Sequence, residues 1–156
     1  MKKKLLAFIE FLDRKMGFKF DVNTFENRFR LQKYVFISKF LGADFKYGHS
    51  MYLRGPYSSA LAEDYYNLET LRKDDKDYLD YFEKEKFIEI IKGKDNEWLE
   101  IATTLLSVYK SYKRLFEGKS LEKKVVEATN EIKSFADKKT IEVMWKELKA
   151  YGLIEN

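Results

Sequence analysis

Residues 24–41, TFENRFRLQKYVFISKFL, decide the fold. Projected at about 100° per residue, Phe25, Phe29, Phe36 and Phe40 fall on one face, and Leu31, Tyr34, Val35 and Leu41 on the other. Two narrow polar seams separate these faces, one of Arg28, Gln32 and Lys39, the other of Glu26, Arg30 and Lys33. A helix apolar on two sides has to be wrapped by neighbours. This stretch is therefore expected to be the central helix of a helical domain.

The wrapping elements can be read outward from it. Residues 3–16 place Leu5, Phe8, Ile9, Leu12 and Met16 on one stripe that Gly17 stops. The next stretch, YGHSMYLRGPYSSALA over 47–62, holds the sole proline, the sole histidine and two of the seven glycines. Its 47–53 portion has the character of one short extended segment. Ser58 or Ser59 then caps a helix to about Arg72, with Glu63 and Asp64 early in it. Asp74 opens a fourth helix reaching about Lys92, within which Phe87–Ile91 also reads as a strand. A loop at 93–96 leads to a fifth helix over 97–116, with Trp98, Ala102, Leu105, Tyr109, Tyr112 and Phe116 on a wide apolar face. Gly118 ends it, and Ser120 caps a sixth helix that aligns Leu121, Val125, Ala128, Ile132 and Phe135. Asp137 caps a seventh that aligns Ile141, Met144, Trp145, Leu148 and Tyr151, with Gly152 at its C′ position. The expectation is a mainly α chain: one compact domain over 1–156, about seven helices and no linker.

Composition narrows the function classes. Of 156 residues 45% are hydrophobic and 17% aromatic, enough for a packed core. Charged residues make up 36%, with lysine far ahead of arginine, a mix typical of archaeal or thermophilic proteins and also of AT-rich genomes. The chain has no cysteine, which excludes disulfides, thiol nucleophiles and zinc–thiolate sites. No run of apolar residues has the length of a membrane span or a signal-peptide core, so a cytoplasmic setting without membrane contact is expected. The net charge of +4 is unevenly spread. Residues 1–46 carry 11 basic and 5 acidic side chains, residues 47–100 carry 8 and 13, and residues 101–156 carry 11 and 8.

Catalytic constellations do not stand out. His49 is the only histidine, so neither a Ser-His-Asp arrangement nor a histidine metal site can be built. Asp74, Asp75, Asp77 and Asp80 lack the glycine and distal glutamate of an EF-hand and suit the positive end of a helix. Neither a GxGxxG nor a P-loop occurs. A non-enzymatic chain with no cofactor and no metal is the expectation. The run Leu53-Arg54-Gly55-Pro56-Tyr57-Ser58 reads as a turn at Gly55-Pro56 followed by a helix start. Arg54, Ser58 and Ser59 at that start suit an anion or a partner's carboxylate, and the competing reading is a capped turn with Arg54 paired to Glu63.

Arg30-Leu31-Gln32-Lys33-Tyr34-Val35-Phe36, followed about twenty residues later by Arg54-Gly55-Pro56-Tyr57-Ser58, resembles two related groups. One is the Panacea domain of SocA-like antitoxins; the other, closer around the turn, is the uncharacterised YwgA-like family. Residues 98–106 and 145–154 also look like later parts of archaeal relatives of the second group. Arg54 stands where the antitoxins commonly carry an aromatic or small residue. The resemblance implies a small helical, non-enzymatic protein that acts by direct protein contact, with a partner such as a toxin encoded nearby. Gln32, Lys33, Gly55 and Pro56 match the shared signature, and Arg30, Gln32, Lys33, Arg54, Ser58 and Ser59 are the candidate binding residues. Gln32 is expected to hydrogen-bond the backbone of the turn, because a buried amide demands partners.

A second reading is a DNA-binding regulator. The ending ELKAYGLIEN is similar to the close of winged-helix domains, and helices six and seven, joined by a short Ala136–Lys138 turn, suit a helix-turn-helix. Lys133, Lys138, Lys139, Lys146 and Lys149 would then face phosphate.

Overall fold

A computed structural model describes residues 1–68 and 76–155 of the chain. The described residues form seven helices and one two-stranded sheet, so the chain is mainly α as the periodicities required. The elements are α1 (Lys2–Met16), α2 (Phe25–Lys39), β1 (Ser50–Tyr52), β2 (Gly55–Tyr57), α3 (Ser59–Tyr65), α4 (Lys84–Ile91), α5 (Asn96–Tyr112), α6 (Gly118–Ile132) and α7 (Lys138–Ala150). They fall into two compact units, Met1–Ser50 with Tyr57–Gly93, and Met51–Pro56 with Lys94–Asn156.

In the first unit α2 is the centre. Every residue from 31 to 38 is buried, polar Gln32, Lys33 and Ser38 included, as a helix apolar on two faces requires. An aromatic cluster packs beside it. The Phe8 ring centroid lies 5.3 Å from Phe45, 5.8 Å from Phe82 and 5.6 Å from Phe87, and Phe87 lies 6.3 Å from Tyr34. These are edge-on and tilted pairs, the arrangements that ring quadrupoles favour. α1 buries Leu5, Phe8, Phe11 and Leu12. Phe11 thus joins the stripe, while Ile9 and Met16 are only half-buried.

Two connections are extended or irregular, and one of them replaces part of an expected helix. After α2, Leu41, Ala43, Phe45 and Tyr47 are buried while Gly42, Asp44, Lys46 and Gly48 are exposed, the period-2 pattern of an extended segment. Residues 76–83 are not helical, so the expected fourth helix shrinks to α4, which includes Phe87–Ile91. The third helix ends at Tyr65, short of the expected Arg72, and Arg72, Asp74 and Asp75 lie outside the described residues. The physical reason is visible in the hydrogen bonds. Leu79 N–H donates to Asp77 Oδ1 at 3.0 Å, and Glu83 N–H donates to Leu41 O at 2.9 Å. A local aspartate and a distant carbonyl have taken the donors a helix would use. Gly42 (φ 94) sits where a Cβ would run into the Tyr81 carbonyl oxygen, so only glycine allows that approach.

In the second unit α5, α6 and α7 pack on one another. α5 buries ten residues, including Glu100, Thr103 and Thr104. The threonine hydroxyls are satisfied by donating to the carbonyls of Leu99 and Glu100, each at 2.7 Å. Asp95 and Asp137 cap α5 and α7 by accepting from Trp98 N–H and Thr140 N–H. The tail folds back on this unit: Leu153 and Ile154 are buried and Glu155 N–H donates to Tyr109 OH at 3.0 Å.

Helix boundaries here correct the sequence reading. α5 ends at Tyr112 rather than 116, and α6 begins at Gly118, so Ser120 lies inside its first turn instead of capping it. α6 stops at Ile132, and its buried stripe runs Leu121, Val125, Thr129, Lys133, Ala136. That stripe is rotated one residue from the expected one, leaving Ile132 and Phe135 exposed.

Three buried tyrosines make this fold sensitive to alkali. Burial is the first cause that raises the phenol pKa of Tyr34, Tyr47 and Tyr65, and Tyr65 is pushed from its ordinary 10.0 up to about 12. The folded chain thus favours the neutral phenols. For Tyr65 that stabilisation is complete below pH 10 and lost as pH climbs through about 12. The denaturation midpoint is expected to fall over that window, and less steeply in Tyr65→Phe; a midpoint flat from pH 9 to 12 would contradict it.

Candidate functional site: a clamped hairpin tip

The chain leaves the first unit after Ser50 and re-enters it at Tyr57. Between them β1 and β2 form a hairpin whose two loop residues are Leu53 and Arg54. Both have negative φ, and Gly55 follows at φ 97. This is the pattern of a type I turn closed by a glycine bulge. The turn therefore lies one step earlier than Gly55-Pro56, and Pro56 stands in β2, where a two-stranded sheet has an open edge to tolerate it. The short extended segment expected over 47–53 is present as β1, and β2, which the sequence reading did not include, pairs with it.

The tip is held by a buried charge network within the second unit. Lys133, 3% exposed, donates from Nζ to Leu53 O at 2.8 Å and pairs with Glu100 Oε2 at 2.9 Å. The other Glu100 oxygen meets Arg54 Nε at 3.3 Å. A buried ammonium and a buried carboxylate are costly alone, and each here has partners. The network has the opposite effect on the side chain at the tip. Leu53 is 95% exposed, with Tyr52 at 56% and Met51 at 38%. Ile132 and Phe135, the exposed apolar residues of the α6 end, flank Lys133 in sequence.

Several residues singled out from sequence have structural work instead. Gln32 is buried and engages one residue in both directions, donating from Nε2 to Ser58 O at 2.8 Å and accepting from Ser58 N–H at 2.9 Å. The amide thus holds the residue two past Pro56 rather than Gly55-Pro56 itself. Ser58 is 1% exposed and its Oγ caps α3 by accepting from Leu61 N–H, so it offers nothing to an anion. Ser59 is the first helical residue and exposed. Lys33 is buried over the Phe29 ring, 5.0 Å from its centroid. Arg30 donates to Tyr34 OH at 2.7 Å and lies 3.5 Å from Glu26. Arg54 faces Glu100 rather than Glu63. The expected grouping of Arg54, Ser58 and Ser59 around one anion is accordingly corrected at Ser58, which is buried and engaged, while the Arg54 side chain stays 59% exposed. His49 is half-buried, with Nδ1 3.3 Å from Lys39 Nζ.

The lysines divide as well. Lys138, Lys139, Lys146 and Lys149 are exposed on α7, while Lys133 is buried and engaged and cannot face phosphate as the sequence suggested. Glu100, Lys133 and Leu53 were missed as a site. The available signal was a lysine four residues after Thr129 and eight after Val125, on the inner face of α6.

Among the described residues no group of three or more His, Asp or Glu side chains is placed to hold a metal ion, and no helix is long and apolar enough to cross a membrane. Compared with protein-family models, curated proteins and solved structures, the chain gives no significant match to any.

The Gln32 pin is open to measurement. Gln32→Leu strands the buried Ser58 N–H, while the Ser58 carbonyl keeps Ala62 N–H, and is expected to cost about 1–3 kcal/mol in urea unfolding. Asn67→Ala, at an exposed site, is expected to change stability by less than about 0.5 kcal/mol.

Proposed function

We propose that this chain is a non-enzymatic protein-interaction module of the antitoxin or regulatory kind, acting in the cytoplasm without a cofactor. The observation that carries the reading is Leu53: an aliphatic side chain, 95% exposed, on a turn whose carbonyl is gripped by a buried lysine. Turn positions ordinarily take Gly, Asn, Asp or Ser. A leucine there gains nothing from solvent, and a rigid tip lowers the ordering cost of docking into an apolar cleft. The half-exposed Arg54 guanidinium beside it suits a carboxylate on the rim of such a cleft. The resemblance of 30–36 and 54–58 to antitoxin-type sequences supports the same reading, with a toxin encoded nearby as the expected partner.

The test is recovery of a partner from the native cell by tagged protein. Leu53→Asp is expected to lower recovery by about tenfold or more, the scale of a lost interface anchor. Tyr81→Asp, at a site 87% exposed in the first unit, is expected to leave recovery unchanged. Equal recovery with both variants would remove the hairpin tip from the function.

DNA binding is the second reading, favoured by one observation. The outer face of α7 carries Lys138, Lys139, Lys146 and Lys149, with Val143 57% exposed among them. Four phosphate contacts would make duplex affinity fall about 100-fold between 50 and 200 mM salt. A titration against random duplex that shows no binding, or binding insensitive to salt, eliminates this reading.

A further inference from the structure

Two half-buried aromatic rings of the second unit share one ammonium group. Lys94 Nζ lies over the Trp98 ring, 4.7 Å from its centroid, and over the Tyr151 ring at 5.5 Å. Both distances are within the reach of a cation–π attraction, about 6 Å from the ring centroid. Trp98 stands in the first turn of α5 and Tyr151 at the C-cap of α7, two helices that pack on each other. The rings therefore come from rigid elements. Lys94 comes from the loop ahead of α5, next to Gly93 at φ 74.

The surroundings of Trp98 are negative. Its indole Nε1–H donates to Glu147 Oε1 at 3.0 Å, and its backbone N–H donates to Asp95 Oδ1 at 2.8 Å. The first of these fixes the ring plane, because a hydrogen bond to a carboxylate is a strong one. Glu147 and Tyr151 are four residues apart at the end of α7, so the carboxylate and the second ring share a face. Glu97, exposed in the same turn as Trp98, adds a further acidic group. Two π-faces and a carboxylate bound to one of them are the parts of a cage for a cation.

We infer that Trp98, Tyr151 and Glu147 form a binding site for a quaternary ammonium group, in which Lys94 is seated as an internal stand-in. A primary ammonium is strongly hydrated and gains little from a ring at a place open to water. A trimethylammonium group has no N–H to hydrate and spreads its charge over its methyl groups, so the rings suit it better. Lys94, on a loop, swings out to solvent when such a group enters. The site uses no residue of the hairpin tip and none of the α7 lysines, so it stands apart from both readings above.

The experiment follows the two indole N–H resonances of the ¹⁵N-labelled full chain, with Trp145, 3% exposed, as the internal reference. The probes are tetramethylammonium, choline, the Nα-acetyl amide of Nε-trimethyl-lysine, and 3,3-dimethylbutanol, the uncharged isostere of choline. Each cation is expected to move the Trp98 resonance saturably, with a Kd of about 1–10 mM, while Trp145 stays in place. Lys94→Ser removes the internal competitor and is expected to tighten binding about threefold; Tyr151→Leu removes one wall and is expected to weaken it about fivefold. A tighter fit for the trimethyl-lysine amide points to a modified protein side chain, and a tighter fit for choline to a choline-bearing molecule. Equal affinities mean that the head group alone is read. No saturable shift by about 50 mM in either the native chain or Lys94→Ser would overturn the inference. So would 3,3-dimethylbutanol binding as tightly as choline, or affinity unchanged in the two variants.

Discussion

An ammonium group taken out of water has to find hydrogen bonds and an opposite charge, and Lys133 imposes that constraint on the second unit. Its length places Nζ against Glu100 and Leu53 O together, so α5, α6 and the hairpin tip are tied to one point. A buried ion pair is weak evidence for stability, since well-packed apolar residues can often do as well. Its effect here is positional. Leucine or methionine at 133 would fill the space without choosing any carbonyl, whereas the ammonium selects Leu53 O and leaves the leucine side chain outward.

The first unit uses the same logic with a neutral group. Gln32 sits on a seam of a helix otherwise buried by apolar contacts, and its amide presents one donor and one acceptor in fixed geometry. Ser58 answers with its own carbonyl and N–H, then uses its hydroxyl to cap α3. One residue thereby ends β2, starts α3 and is fixed to α2. Hydrophobic packing supplies most of the cohesion in both units, but it is non-directional. Directional information comes from polar contacts such as those of these two buried side chains.

How far the fold was legible depended on how local its causes are. α1, α2, α5 and α7 showed in the sequence because a 3.6-residue apolar period, a capping aspartate or a terminal glycine acts within a few residues. The two-sided burial of α2 followed from its two apolar faces. Residues 76–83 were misread because Asp77 and the carbonyl of Leu41 divert the N–H groups of Leu79 and Glu83. The second diversion comes from forty-two residues away and leaves no trace in the local pattern. The α6 stripe was misaligned by one residue for a related reason: apolarity pointed to Ile132 and Phe135, and only the presence of Glu100 makes a lysine the better inward residue.

By itself the sequence determined the helical class, the positions of most helices, the absence of thiol chemistry and the need for Gln32 to find a buried partner. These follow from side-chain period, residue inventory and the cost of an unpaired amide. Tertiary structure alone decided that Ser58 is the partner, that Arg54 turns to Glu100 rather than to Glu63, and that Lys133 is drawn inward while Leu53 is left out. Each of these joins residues far apart along the chain, and no local preference records which distant group will satisfy a buried charge.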